Sequence, residues 1–161
     1  MVNVLYVDWE NHFPGPYAAA YTMGVFYKQE KPNEPSMPLR VNSAGLMDRL
    51  SGQITLPANG IRIETGIAVM LCEYERKSLD RSLVEQADII VPFDFGQAKI
   101  VVSRFPEAAH KTTLLSQMAF PNDTPRAICL TGRVGTEVTS QVNRMKWYVD
   151  RSVRRLKKDF E

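Results

Sequence analysis

Two carboxylates and an amide crowd the end of the first apolar run of this chain, VLYVDWEN: Asp8, Glu10 and Asn11, with Trp9 among them. Carboxylates gathered at one point bind hard divalent cations, and a metal held there activates water and offsets charge on a phosphate under attack. The same residues also suit a plain strand-to-turn ending, in which an Asx side chain bonds the local backbone. A second pattern, LTGRVGTEV, sets Gly132 and Gly135 around Arg133 between a strand-like run and a helix start. Backbone amides and a helix dipole at such a junction can hold a phosphate, and a simple turn uses the same residues. The stretch is too short for a dinucleotide fingerprint or a P-loop.

A third pattern lies at the C-terminus. Arg144, Lys146, Arg151, Arg154, Arg155, Lys157 and Lys158 share the polar face of one helical segment, with Trp147 and Tyr148 beside them. Cations neutralise phosphates and an exposed aromatic stacks on a base, so this combination suits RNA or single-stranded DNA. A solvated basic face and a core tryptophan account for the same residues. Along the same helix, Val142, Met145, Val149, Ser152 and Leu156 follow alternating steps of three and four. That stripe fits either a short intersubunit seam, and so a homo-oligomer, or burial against the chain's own sheet.

The hydrophobic strand ending in Asp8-x-x-Asn11 resembles the opening of NYN domains, relatives of the PIN ribonucleases. The resemblance implies a compact α/β sandwich with acidic residues at strand ends around magnesium or manganese. Under it, Asp8 is the primary metal ligand and Asn11 orients the site. Lys77-Ser78-Leu79-Asp80 matches the spacing of the family's next acidic motif, and Asp94-Phe95 stands for its third, without that motif's serine, glycine and paired aspartate. Asp8, Asp80 and Asp94 would then hold the metal, and the catalytic set would be Asp8, Asn11, Asp80 and Asp94.

The elements that position these residues follow from pattern. Val2 to Asp8 reads as a strand, HFPGPY as a turn, YAAAY as a short helix and GVFYK as a second strand. Residues 29–41 form a proline-rich loop, SAGLMDRLSG a helix capped by Ser43, and residues 53–75 a hairpin around Pro57, Asn59 and Gly60. A helix through KSLDRSLVEQ precedes a strand in ADIIVPF, with Pro92 marking its end or a sheet edge. AKIVVSRF reads as a strand, PEAAHKTTLLSQM as a helix and RAICLTG as the last strand. Residues 136–160 give the clearest pattern, a long amphipathic helix whose length, about 37 Å at 1.5 Å per residue, predicts a projecting far end. The expected class is α/β: one domain over residues 1–161, a mixed sheet covered by helices, with the long C-terminal helix.

Composition bounds the function. The 161 residues are 44% hydrophobic and 24% charged, which suits a packed core and excludes wholesale disorder. No apolar run is long enough to span a bilayer and no signal segment is present, so the expectation is a cytoplasmic protein without a membrane partner. Cys72 and Cys129 lie in apolar runs and read as buried thiols, and His12 and His110 as surface residues. No serine or cysteine nucleophile pairs with a histidine by motif. The net charge of +2 is uneven, with 7 basic and 3 acidic residues in 144–161. The leading expectation is therefore non-catalytic binding of RNA or single-stranded DNA through the C-terminal helix, with no required cofactor. The alternatives are a magnesium- or manganese-dependent ribonuclease and a protein-interaction or oligomerisation module.

Overall fold

The computed structural model describes residues 1–28, 38–53, 71, 74–128 and 136–160. Strand β1 (Val2–Asp8) runs between β2 (Leu39–Gly45) and β3 (Ile89–Pro92), parallel to both. Alternate residues of β1 serve opposite faces, as a pleated central strand requires. Val2, Val4 and Tyr6 face one apolar layer with Tyr17, Phe26, Met145 and Val149, while Leu5 and Val7 face another with Leu46, Val84, Ile90 and Val101. Helices α1 (Pro14–Lys28) and α5 (Thr136–Phe160) cover the first face, and α2 (Arg81–Gln86) and α3 (Phe95–Arg104) the second. A 3-10 helix (Pro106–Lys111) and α4 (Leu115–Ala119) link the layers. This is a single-domain α/β fold with helices on a parallel sheet, the class the sequence predicts.

Several elements differ from their sequence patterns. GVFYK continues α1 rather than forming a strand, because its Phe26 enters the core beside α5. Ser43 lies inside β2, pairing in register with Tyr6, rather than capping a helix. AKIVVSRF belongs to α3, where Asp94 accepts from Gln97 N and the Gln97 side chain accepts from Asp94 N, a complete capping box. The expected helix from Pro106 divides into the 3-10 helix and α4. Of the hairpin, the described part holds an antiparallel bridge between Gln53 and Glu75, and its turn lies outside the described residues. Residues 29–37 of the proline-rich loop, both cysteines and most of RAICLTGRVG, including Gly132, Arg133 and Gly135, also lie outside them.

The C-terminal helix keeps its expected bounds but does not project: Val153 and Leu156 remain in the core. Val142, Met145, Val149, Ser152 and Leu156 are all buried against the chain's own elements. Among the described residues, no helix is long and apolar enough to cross a membrane.

Candidate functional site at the end of strand β1

Strand β1 is followed immediately by the loop that leads into α1, and this loop closes on Asp8. Asp8 is only 3% exposed. It accepts the backbone N–H of Asn11 and, at 2.8 Å, that of Gly15 in the first turn of α1. Pro14 and Pro16 have no N–H, so Gly15 supplies the donor between them, and the helix's positive end faces the carboxylate. Burial pushes the Asp8 carboxyl up from the ordinary range. The amides of Gly15, Asn11 and Glu10 pull the other way, and the charge of Glu10 adds to the rise.

Close approach requires bare backbone here. A Cβ on Gly15 would lie 3.0 Å from Asp8 Oδ2, and one on Gly45 would lie 2.8 Å from Asn11 N. Leu46 N donates to Asp8 O and Met47 N to Trp9 O, tying the loop to the end of β2. From outside, Arg76 donates to the Glu10 carbonyl at 3.1 and 3.0 Å. Asn11 turns the chain with φ 48°, a conformation Asn tolerates better than most residues. Its side chain is fully buried, and neither amide atom has a hydrogen-bond partner among the described residues.

Exposed apolar groups surround this closed cradle. Trp9, Met47 and Phe95 are each about half exposed, and the Trp9 ring lies 3.5 Å from where a Gly96 Cβ would be. The patch sits at the carboxyl ends of β1 and β3. The chain leaves β1 for β2 on one side and returns to β3 on the other, which is the switch point where open parallel sheets bind ligands. Sequence reasoning located Asp8 and Asn11 but missed Gly15, Gly45, Gly96, Met47 and the rim role of Trp9 and Phe95. The signal available was the Pro-Gly-Pro run, which fits a helix start as well as a break.

The structure does not assemble the expected metal ligands. Asp80 caps α2 by accepting Leu83 N at 2.8 Å, and Asp94 caps α3 by accepting Gln97 N at 2.8 Å. Among the described residues, no group of three His, Cys, Asp or Glu side chains is placed to hold a metal. Lys77 donates to Asn42 at 3.3 Å, and burial, followed by the charge of Arg40, lowers its pKa.

Of the seven cations named on α5, four are engaged within the chain. Lys146 lies over Tyr21 at 5.4 Å, and Lys157 over Phe26 at 4.6 Å while donating to the Phe26 carbonyl. Arg151 covers Phe120 and Trp147, and Arg155 pairs with Asp159 at 3.2 Å. Arg144, Arg154 and Lys158 are exposed. Trp147 stacks on Phe120 with centroids 4.8 Å apart, so one of its faces already has a partner.

No family model and no curated protein sequence matches the chain. Solved structures do match it over nearly its whole length. A low molecular weight protein tyrosine phosphatase from Bacillus subtilis superposes with a TM-score of 0.76 at 16% identity, covering 99% of this chain and 100% of that one. The YwlE arginine phosphatase from Geobacillus stearothermophilus gives 0.74 at 22% identity over 99% and 95%. A cysteine-to-serine variant of YwlE with a phosphorylated active-site serine gives 0.74 at 16% over 98% and 97%. These neighbours overturn the NYN/PIN resemblance, the ribonuclease reading of Asp8, Asn11, Asp80 and Asp94, and the nucleic-acid-binding reading of the C-terminal helix; the apolar stripe offered as an interaction seam is buried within the chain. At such identities the likeness concerns architecture: the chain has the fold of the low molecular weight protein tyrosine phosphatases.

Proposed function

We propose that this chain is a non-hydrolytic member of the phosphatase fold. In this reading the amide cradle at the end of β1 is filled by its own carboxylate, and the surrounding rim binds a ligand without turning it over. The observation that carries the proposal is the position of Asp8. Its two oxygens take the N–H groups of Asn11 and Gly15 that would otherwise face a phosphate, and its charge repels one.

Chemistry along the loop supports the same reading. The phosphorylated serine of the YwlE variant replaces a cysteine near that protein's N-terminus. This chain has no serine before Ser36, no arginine before Arg40 and no cysteine before Cys72. The loop therefore supplies neither a hydroxyl or thiol to attack phosphorus nor a guanidinium to hold the transferring group. What it presents to solvent is Trp9, Met47 and Phe95, an apolar patch of the kind that marks a binding surface.

Phosphomonoester hydrolysis is the second reading, favoured by the whole-length likeness to phosphatases. One experiment separates the two. The wild-type protein is incubated with p-nitrophenyl phosphate and with a phosphoarginine peptide, and vanadate binding is measured for wild type and Asp8→Ala. The expected result is no turnover above the blank and vanadate binding only by the variant. Turnover by wild type that Asp8→Asn abolishes would replace the proposal with a hydrolase using Asp8.

A further inference from the structure

The outer side of α5, opposite its buried apolar stripe, carries a row of like charges. Arg144, Trp147, Arg151, Arg154 and Lys158 recur in steps of three and four residues, and all five are exposed. At 1.5 Å per residue the row is about 21 Å long. None of its four cations has a carboxylate partner among the described residues. Arg151 lies over the rings of Phe120 and Trp147, at 5.7 and 5.9 Å. No residue of the Asp8 cradle belongs to the row.

The surroundings add to this charge instead of cancelling it. Between residues 144 and 158 the one acid is Asp150, which accepts from the Tyr21 hydroxyl at 3.5 Å on the side of α1. Helices α1 and α4, which flank α5, contain no acidic residue. Asp159 is held by Arg155 at 3.2 Å, and Asp123 stands exposed beyond the end of α4. Within the row, Arg151 and Arg154 are three residues apart and Arg154 and Lys158 four, the spacings at which like charges on a helix repel.

We infer that this row is a docking surface for an acidic segment of another protein. Three of the four cations are arginines, whose planar forks take carboxylates through paired hydrogen bonds. Stacking on Phe120 and Trp147 orients the Arg151 guanidinium before a partner arrives. Trp147, half exposed within the row, adds the aromatic contact that, with arginine, dominates protein interfaces. The unpaired cations form a line, because Lys146 and Lys157 beside them turn onto Tyr21 and Phe26. A line fits a chain segment, whereas a lipid surface meets a plane, and the apolar stripe that a membrane-bound helix would insert is buried here.

The probes are a labelled helical peptide with glutamates in steps of three and four residues and the same peptide with glutamines, followed by fluorescence anisotropy. At 50 mM salt the glutamate peptide should bind at least about tenfold more tightly, and at 300 mM most of that advantage should be screened away. Arg144→Glu with Arg154→Glu should weaken it by at least about tenfold, and Arg144→Gln with Arg154→Gln in the same direction. Arg40→Glu with Lys99→Glu makes the same change in net charge as the glutamate pair at exposed positions outside α5, and should weaken it less than about twofold. Unchanged circular dichroism qualifies each variant as folded. No binding at low salt, equal affinity for the two peptides, or equal losses from the two glutamate pairs would overturn the inference. So would tighter binding of phosphatidylserine-containing vesicles or of an oligothymidylate than of the glutamate peptide.

Discussion

Replacing Asp8 by alanine should couple the stability of this protein to oxyanions. The wild-type carboxylate satisfies the N–H groups of Asn11 and Gly15 in a site 3% exposed. Each buried donor left without a partner costs about 1–3 kcal/mol, and relief of the buried carboxylate's own desolvation offsets part of that. The net loss expected for Asp8→Ala in chloride buffer at pH 7 is therefore about 1–3 kcal/mol. A phosphate entering the vacated cradle would meet the same amides and the same helix end. If it binds with a dissociation constant ten- to a hundredfold below its concentration, it returns about 1.4–2.7 kcal/mol.

Urea denaturation of both proteins, in chloride and in 10 mM phosphate at matched ionic strength, reads this directly. The variant's midpoint should rise with phosphate and the wild type's should not. The pH dependence carries a second sign. Because burial raises the folded carboxyl above its ordinary value of 3.8, its stabilising contribution is full below that value and is lost as pH rises through the folded one. Asp8→Ala lacks that loss, so its deficit in chloride should be largest in acid and shrink toward neutrality. Equal phosphate responses in the two proteins, or a deficit that grows with pH, would refute the self-filled cradle.

Three other outcomes follow from the same structure. Asp94→Ala removes the side-chain acceptor of Gln97 N while leaving the residue-94 backbone N–H on Gln97 Oε1, and should cost about 1 kcal/mol by urea denaturation, whereas Asp94→Asn, which still accepts Gln97 N, should stay within a few tenths. Tyr6 is fully buried and its phenol is pushed up to about 12 by burial, against the Thr22 hydrogen bond. The folded pKa exceeds the unfolded one, so stability should hold below pH 10 and fall from 10 to 12. Tyr6→Phe should flatten that fall in pH-dependent denaturation. Met145→Ala should cost about 2–5 kcal/mol, and the loss should not change with protein concentration, because Met145 is fully buried within its own chain.

Strong local patterns were legible in the sequence: β1 by its β-branched run into Asp8, α5 by its periodicity over 25 residues, and α2 by the helical spacing of Leu79, Leu83, Val84 and Ala87. Elsewhere, residue preference misled. Ile100, Val101 and Val102 favour a strand, yet the Asp94 and Gln97 capping box starts a helix whose Val101 packs beneath the sheet. The Asp94-x-x-Gln97 spacing stands in the sequence, but the β-branched run that follows it fits a strand. Phe26 and Tyr27 suited a strand equally well, and only the arrival of α5 over Phe26 fixes them as helix. Lys146, Lys157 and Arg151 looked free because their partners, Tyr21, Phe26 and Phe120, come from other elements.

The three aspartates proposed as metal ligands have one structural role in common. Asp80 and Asp94 stand immediately before a helix and Asp8 at the end of the strand that leads to one, and each accepts a backbone N–H from that helix: Gly15 of α1, Leu83 of α2 and Gln97 of α3. A carboxylate after a strand can meet other carboxylates, in which case it needs a cation, or it can meet orphan amides, in which case it needs none. Sequence spacing does not separate these cases, because both require an acid at the same point of the chain. What separates them is whether the following helix begins close enough to donate. At Asp8 that is decided by Gly15, seven residues on, whose missing Cβ lets the helix approach to hydrogen-bond distance. Gly15→Ala should therefore push α1 away from Asp8, and its effect on stability should diminish in Asp8→Ala, where there is no carboxylate left to crowd.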